Sequence, residues 1–347
     1  MRVGSILGPL ALAILFQNSA ALAEDCPLKQ IASVDMTVTP GGSFLVPVSI
    51  NGTPQKMVLA TAGGITSLRQ DAATALGLDA IDASHIKLLS SNGTVSQNYT
   101  QIDFALGGIH VPKLQTIVWP ASDTGPVPFV GSLAGDFLSL YDVEMNFAGR
   151  KLNFFSKDHC PGHVIYWKTE ALAVLPITLQ LPTGDDSRTG FRRFSYRGSH
   201  INVPVSINGK DFKAALNTTS QTSTMSTDTA KFLFGVTADS PGATPLNSPA
   251  GNPEHRPFRY TFQTLTFDTV TVANANFVIY PNLIGSKDPN NTSRTDTRLH
   301  RIDDNIGGDI YIGMDVLRKL RLYVAYGENK LYITPASPPP ATATAAQ

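Results

Sequence analysis

Val46–Gly64 reads VPVSINGTPQKMVLATAGG, and the chain states part of it twice. Val203–Gly209 repeats VPVSING letter for letter and DFKAALNTTS follows, which sets Asn217–Ser220 against Ala60–Gly63. A second echo closes each copy. Ala134–Phe155 (AGDFLSLYDVEMNFAGRKLNFF) aligns without a gap to Gly313–Thr334 (GMDVLRKLRLYVAYGENKLYIT), pairing Asp136 with Asp315. Each copy of such a repeat is one structural unit. Residues 24–160 and 199–336 are therefore read as two modules joined by a connector, 161–198. The second module carries a long insertion at 281–305, and 337–347 is a low-complexity tail.

Within a copy, Phe44–Ile50 alternates inward and outward residues, as a half-buried strand does. Asn51-Gly52 and Asn208-Gly209 are hairpin signals, because both residue types tolerate positive φ. Thr66–Leu78 and Ser226–Val236 change to a helical rhythm, and Lys87–Trp119 returns to β with turns at Asn92-Gly93 and Gly107-Gly108. Asp136 and Asp315 stand where they would cap the short helices that follow them.

Composition excludes several classes of function. The 347 residues hold 27 basic and 27 acidic side chains, so no electrostatic footprint for nucleic acid is present. Arg2, the apolar run Ile6–Phe16 and Ala21-Leu22-Ala23 read as a signal peptide over 1–23, which predicts export to a periplasm or beyond. Gly8 and Pro9 interrupt that run, and it is too short to span a bilayer, so no transmembrane segment is expected after cleavage. In an oxidising compartment Cys26 and Cys160 are expected to form one disulfide. No HExxH, CxxC, G-x-S-x-G or phosphate-loop pattern appears, so neither a metal nor a cofactor is expected. The seven histidines are scattered and read as surface or ordinary structural residues. Oligomeric state and ligand identity are not written in the sequence.

The ordered series of pieces resembles the retropepsin-like, pepsin-related aspartic proteases over Ser43–Phe155 and Ser199–Thr334. VPVSING with the apolar strand after it, Leu76-Gly77-Leu78, and GMDVL with LYVAYGENKLYITP carry the likeness. The resemblance implies an all-β fold of two tandem closed β-barrel lobes, each with a short helix, facing one another as an intramolecular pseudo-dimer. It also implies two flap hairpins: Leu89–Tyr99, tipped by Asn92-Gly93, and Leu246–Tyr260, which contains Asn247-Ser248.

The family's half-site reads Asp-Thr-Gly-Ala/Ser, and its chemistry needs two carboxylates about 3 Å apart sharing one proton. Here Ala60 and Asn217 stand at the aspartate positions. A methyl group cannot titrate, and a carboxamide cannot take a proton from water. Ala62 and Thr219 replace the glycines, followed by Gly63 and Ser220, which puts close packing of the two loops in doubt. Thr61 and Thr218 remain, and the resemblance implies that their hydroxyls brace one loop against the other lobe. The expectation is an aspartic-protease-like protein without a catalytic residue, binding an extended peptide or protein segment in the inter-lobe cleft. The alternatives are an active aspartic endopeptidase using another acid pair, or an assembly protein of the cell envelope.

Overall fold

The computed structural model describes residues 27–82, 88–89, 95–96, 98–120, 127–180, 200–247, 256–280 and 310–336. Residues 1–23, expected to be a signal peptide, together with Cys26, Asn92, Gly93, Ser248, the insertion 281–305 and the tail, lie outside these residues. The first module opens with β1 (Gln30–Asp35), β2 (Thr37–Val38), β3 (Phe44–Ile50), β4 (Thr53–Ala60), β5 (Ser67–Arg69) and α1 (Gln70–Ala75). Short strands β6 (Ile81–Asp82), β7 (Leu88–Leu89) and β8 (Val95–Ser96) precede the long hairpin β9 (Asn98–Leu106) and β10 (Ile109–Trp119). It closes with β11 (Gly131–Ala134), α2 (Gly135–Leu138), β12 (Asp142–Asn146) and β13 (Lys151–Phe155).

The second module repeats the order: β14 (Ala173–Pro176), β15 (Thr178–Gln180), β16 (His200–Ile207), β17 (Lys210–Leu216), β18 (Ser223–Ser226) and α3 (Thr227–Phe234). Then come β19 (Thr244–Pro245), β20 (Phe258–Phe267), β21 (Val270–Tyr280), β22 (Ile310–Ile312), α4 (Met314–Leu317), β23 (Leu320–Ala325) and β24 (Lys330–Pro335). Strands β14 and β15 fall inside the segment read as connector, and they pair with β24 and β16 of the second module.

Each module is a barrel. In the first, β3, β4, β11, β5, β10 and β9 follow one another, and pairing of β9 with β3 closes the ring. In the second, β16, β17, β22, β18, β21 and β20 do the same. The repeated VPVSING explains itself here. Asn51 and Gly52 have φ of 49° and 79°, and Asn208 and Gly209 have 47° and 78°, the paired positive values that suit a tight hairpin between twisted strands. Each asparagine also fastens the ring. Asn51 Oδ1 accepts the Asp103 N–H at 2.8 Å, and Asn208 Oδ1 accepts that of Thr264 at 3.1 Å. The prolines fit as well. Pro47 and Pro204 lie where their strands have a neighbour on one side only, so the missing N–H interrupts no ladder.

The helical reading was too long at its first end. Ser67–Arg69 is a strand, held between β10 and β11, and the helix starts only at Gln70. Strand pairing on both sides outweighs a weak local helical pattern. In α3 the local signals suffice: Ser226 caps by accepting the Thr229 N–H, and Gly235 ends the helix at φ 67°.

The modules share one further sheet, ordered β1-β13-β12-β23-β24-β14. At its centre Glu144 pairs with Tyr323, and these are equivalent positions of the two copies, so a local two-fold axis passes between them. One face, with Val143, Met145, Leu322 and Val324, joins the apolar core that runs through both barrels. The other face is covered by the chain after β13, which brings Val164, Ile165 and Trp167 against Phe155, Tyr323 and Tyr332.

Under that cover lies a buried charge network. Glu144 Oε1 accepts Arg321 Nε at 2.6 Å, while its Oε2 accepts Asn153 Nδ2 at 2.9 Å and the Tyr166 hydroxyl. The Arg321 guanidinium stacks on Trp167, 3.9 Å from the ring centroid. Tyr166 is pushed up to about 12 by burial and by Glu144. His159, expected to be unremarkable, has a side chain only 1% exposed and places Nε2 2.6 Å from Asp142, with Nδ1 3.9 Å from Glu328 of the other module.

Burial alone would lower the His159 pKa, but the bonds to Asp142 and the Cys160 carbonyl and the charges of Asp142 and Glu328 raise it above 6.5. A group raised on folding stabilises fully below its unfolded pKa, and that stability is lost as pH rises through the folded value. Urea unfolding midpoints of the wild type should therefore fall as pH climbs from 6.5 through that raised value, and His159→Gln should flatten this limb. Parallel curves for the two proteins would remove His159 as the cause.

Candidate functional site

The two active-site-type loops leave β4 and β17 and meet at the lobe junction. Thr61 Oγ1 donates to the Leu216 carbonyl at 2.7 Å and accepts the Thr218 N–H at 3.1 Å. Thr218 Oγ1 donates to the Leu59 carbonyl at 2.6 Å and accepts the Thr61 N–H at 3.1 Å. The two hydroxyl oxygens lie 3.4 Å apart, and both threonines are buried. Each hydroxyl thus satisfies one donor and one acceptor of the opposite loop, which is the brace the resemblance implies. Ala62 and Thr219 do not prevent it.

The residues immediately before the threonines are Ala60, buried at the end of β4, and Asn217, half-buried. Asn217 N–H donates to the Ile312 carbonyl at 2.9 Å. Its Oδ1 accepts twice from Thr219, from the N–H at 3.0 Å and from Oγ1 at 2.7 Å. Residues 59–64 (LATAGG) and 216–221 (LNTTSQ) contain no titratable side chain. Gly63 is held close: a Cβ there would lie 3.2 Å from that of Ala134 and 3.3 Å from that of Ala60.

Asp136 and Asp315 do not act as N-caps. The caps are Ala134 and Gly313, neither with a capping side chain, and each aspartate lies in the first turn. Asp136 Oδ1 accepts Thr66 N–H at 2.8 Å, Thr66 Oγ1 at 2.6 Å and Phe137 N–H at 2.8 Å. Asp315 Oδ1 takes the equivalent set from Ser223 and Val316. Each carboxylate ties its short helix to the end of its own module's loop. Burial raises the Asp136 pKa, and the bonds from Thr66 and Phe137 offset that only in part. Sequence reasoning read these residues as helix caps and missed their partners Thr66 and Ser223, which are distant along the chain.

Of the first flap, the stem is described: β7 and β8 pair with Leu88 opposite Ser96. The second has its stem in β19 and β20, extended by Leu246 N–H to the Pro257 carbonyl at 2.8 Å, with Asn247 just beyond. A separate pocket of 540 Å³ lies on the flank of the first barrel, where Pro47, Pro54 and Lys56 meet Arg69 and Phe129. None of its lining belongs to the junction.

Two six-stranded barrels around a shared sheet, with threonine-braced loops at the join, define the two-lobed acid-protease architecture. The family model described as aspartyl protease matches residues 46–137 and 203–316, and the chain belongs to that family. No curated protein matches it.

Proposed function

We propose that this is an exported, catalytically silent member of the family that binds an extended peptide or protein segment in the cleft between its lobes. One observation carries the reading: the brace is complete, yet the positions it presents hold a methyl group and a carboxamide. Aspartic proteolysis needs a proton-sharing acid pair, and the junction loops offer none. Asp136 and Asp315 are engaged within their own modules and are poor substitutes. A cleft between β lobes can still hold an extended chain through backbone hydrogen bonds and side-chain pockets.

Export rests on the leader-like sequence, and N-terminal sequencing should find Glu24 first. It brings with it the Cys26–Cys160 disulfide. Ser156 N–H donates to the Lys29 carbonyl at 2.9 Å, so the chain just after Cys26 runs beside the chain just before Cys160.

The mature protein should show saturable binding to extended peptides on a tiled array and no cleavage of unfolded protein from acidic to neutral pH. Absence of any peptide binding would end the proposal. Family membership favours the rival, an active endopeptidase. Pepstatin-sensitive cleavage, abolished by changing Asp136 or Asp315 in a folded variant, would establish it instead.

A further inference from the structure

Both donors of Thr219 converge on Asn217 Oδ1, which fixes the orientation of the carboxamide, because a backbone N–H requires an oxygen acceptor. The amide nitrogen is therefore the group left to act. Among the described residues Nδ2 has no acceptor, and the side chain is only half-buried. At the equivalent position of the other lobe Ala60 is buried and has no polar side-chain atom. A singly ionised aspartate pair sharing a proton can donate and accept; the Asn217 carboxamide, its oxygen taken by two donors, has only its N–H groups left to offer.

We propose that Asn217 is the residue that reads the ligand, with Nδ2 donating to a backbone carbonyl of a bound extended peptide. The assignment rests on the peptide-binding reading above and deepens it. Two consequences separate it from a merely structural role. Since residues 59–64 and 216–221 carry no titratable side chain, the Asn217 contact itself does not vary with pH in the wild type. In Asn217→Asp, by contrast, Oδ1 keeps its Thr219 bonds while the second oxygen donates only when protonated. That variant should bind in acid and lose binding as its carboxyl ionises, because two acceptors then face each other.

The probe is the tightest peptide from an array tiled along casein, measured by fluorescence anisotropy from acidic to neutral pH. Asn217→Ala should bind roughly tenfold more weakly at every pH, the loss of about one hydrogen bond. Asn217→Asp should match the wild type in acid and fall by about tenfold or more at neutral pH. Thermal melts check that both variants are folded; if the aspartate variant is not, the alanine variant decides alone. Wild-type affinity in folded variants at all pH values would overturn the role of Asn217 while leaving peptide binding intact. A wild type that binds no peptide would overturn both.

Discussion

Arg321→Leu should unfold at a much lower denaturant concentration than the wild type, with a loss of about 3–5 kcal/mol. Glu144 is fully buried on the axis between the modules, and Arg321, itself 14% exposed, is its cationic partner. Removing the guanidinium leaves the carboxylate with the neutral donors Tyr166 and Asn153 alone. Breaking one side of a buried pair costs more than the pair is worth, because desolvation of the survivor is no longer compensated. The stack on Trp167 goes as well. Adding Glu144→Gln to Arg321→Leu should recover much of the loss, since the orphaned charge is then absent. If Arg321→Leu and the double variant unfold together, the charge is not what the arginine serves. Equilibrium urea unfolding at neutral pH measures both.

Thr218→Val should cost about 2–6 kcal/mol by a different route. The substitution keeps the shape and removes the hydroxyl, so the Leu59 carbonyl loses its donor and the Thr61 N–H its acceptor. Leaving a buried polar group unsatisfied costs about 1–3 kcal/mol each. Thr218→Ser retains the oxygen and should lose far less. The lobes would not part, since β12 and β23 still join them. The specific signature is faster hydrogen exchange at the Thr61 amide. An unchanged exchange rate there would contradict the brace, whatever the melting temperature does.

How far the sequence could be followed depended on the range of the interaction. The Asn-Gly turns were legible because positive φ is a property of the residue, and both copies adopt it. Ser67–Arg69 was not, because its strand character comes from β10 and β11, far away in the chain. Asp136 and Asp315 looked like caps from their neighbours, yet Thr66 and Ser223 claim them across the fold. His159 had no local signal at all. Its side chain becomes buried and hydrogen-bonded only when Asp142 arrives, with Glu328 of the other module 3.9 Å away.

By itself the sequence determined that the chain is a duplicated β module, where each copy turns, and which residues stand ahead of Thr61 and Thr218. These follow from letter-for-letter repetition and from the backbone preferences of single residues. Only the tertiary structure decided that the two loops lock together and that Asn217 presents its nitrogen. It alone showed that β14 and β15 belong to the second module and that a charged layer lies beneath the shared sheet. Hydrogen bonds and ion pairs of this kind join residues far apart in the chain, and nothing in a linear pattern encodes which distant partner will be within reach.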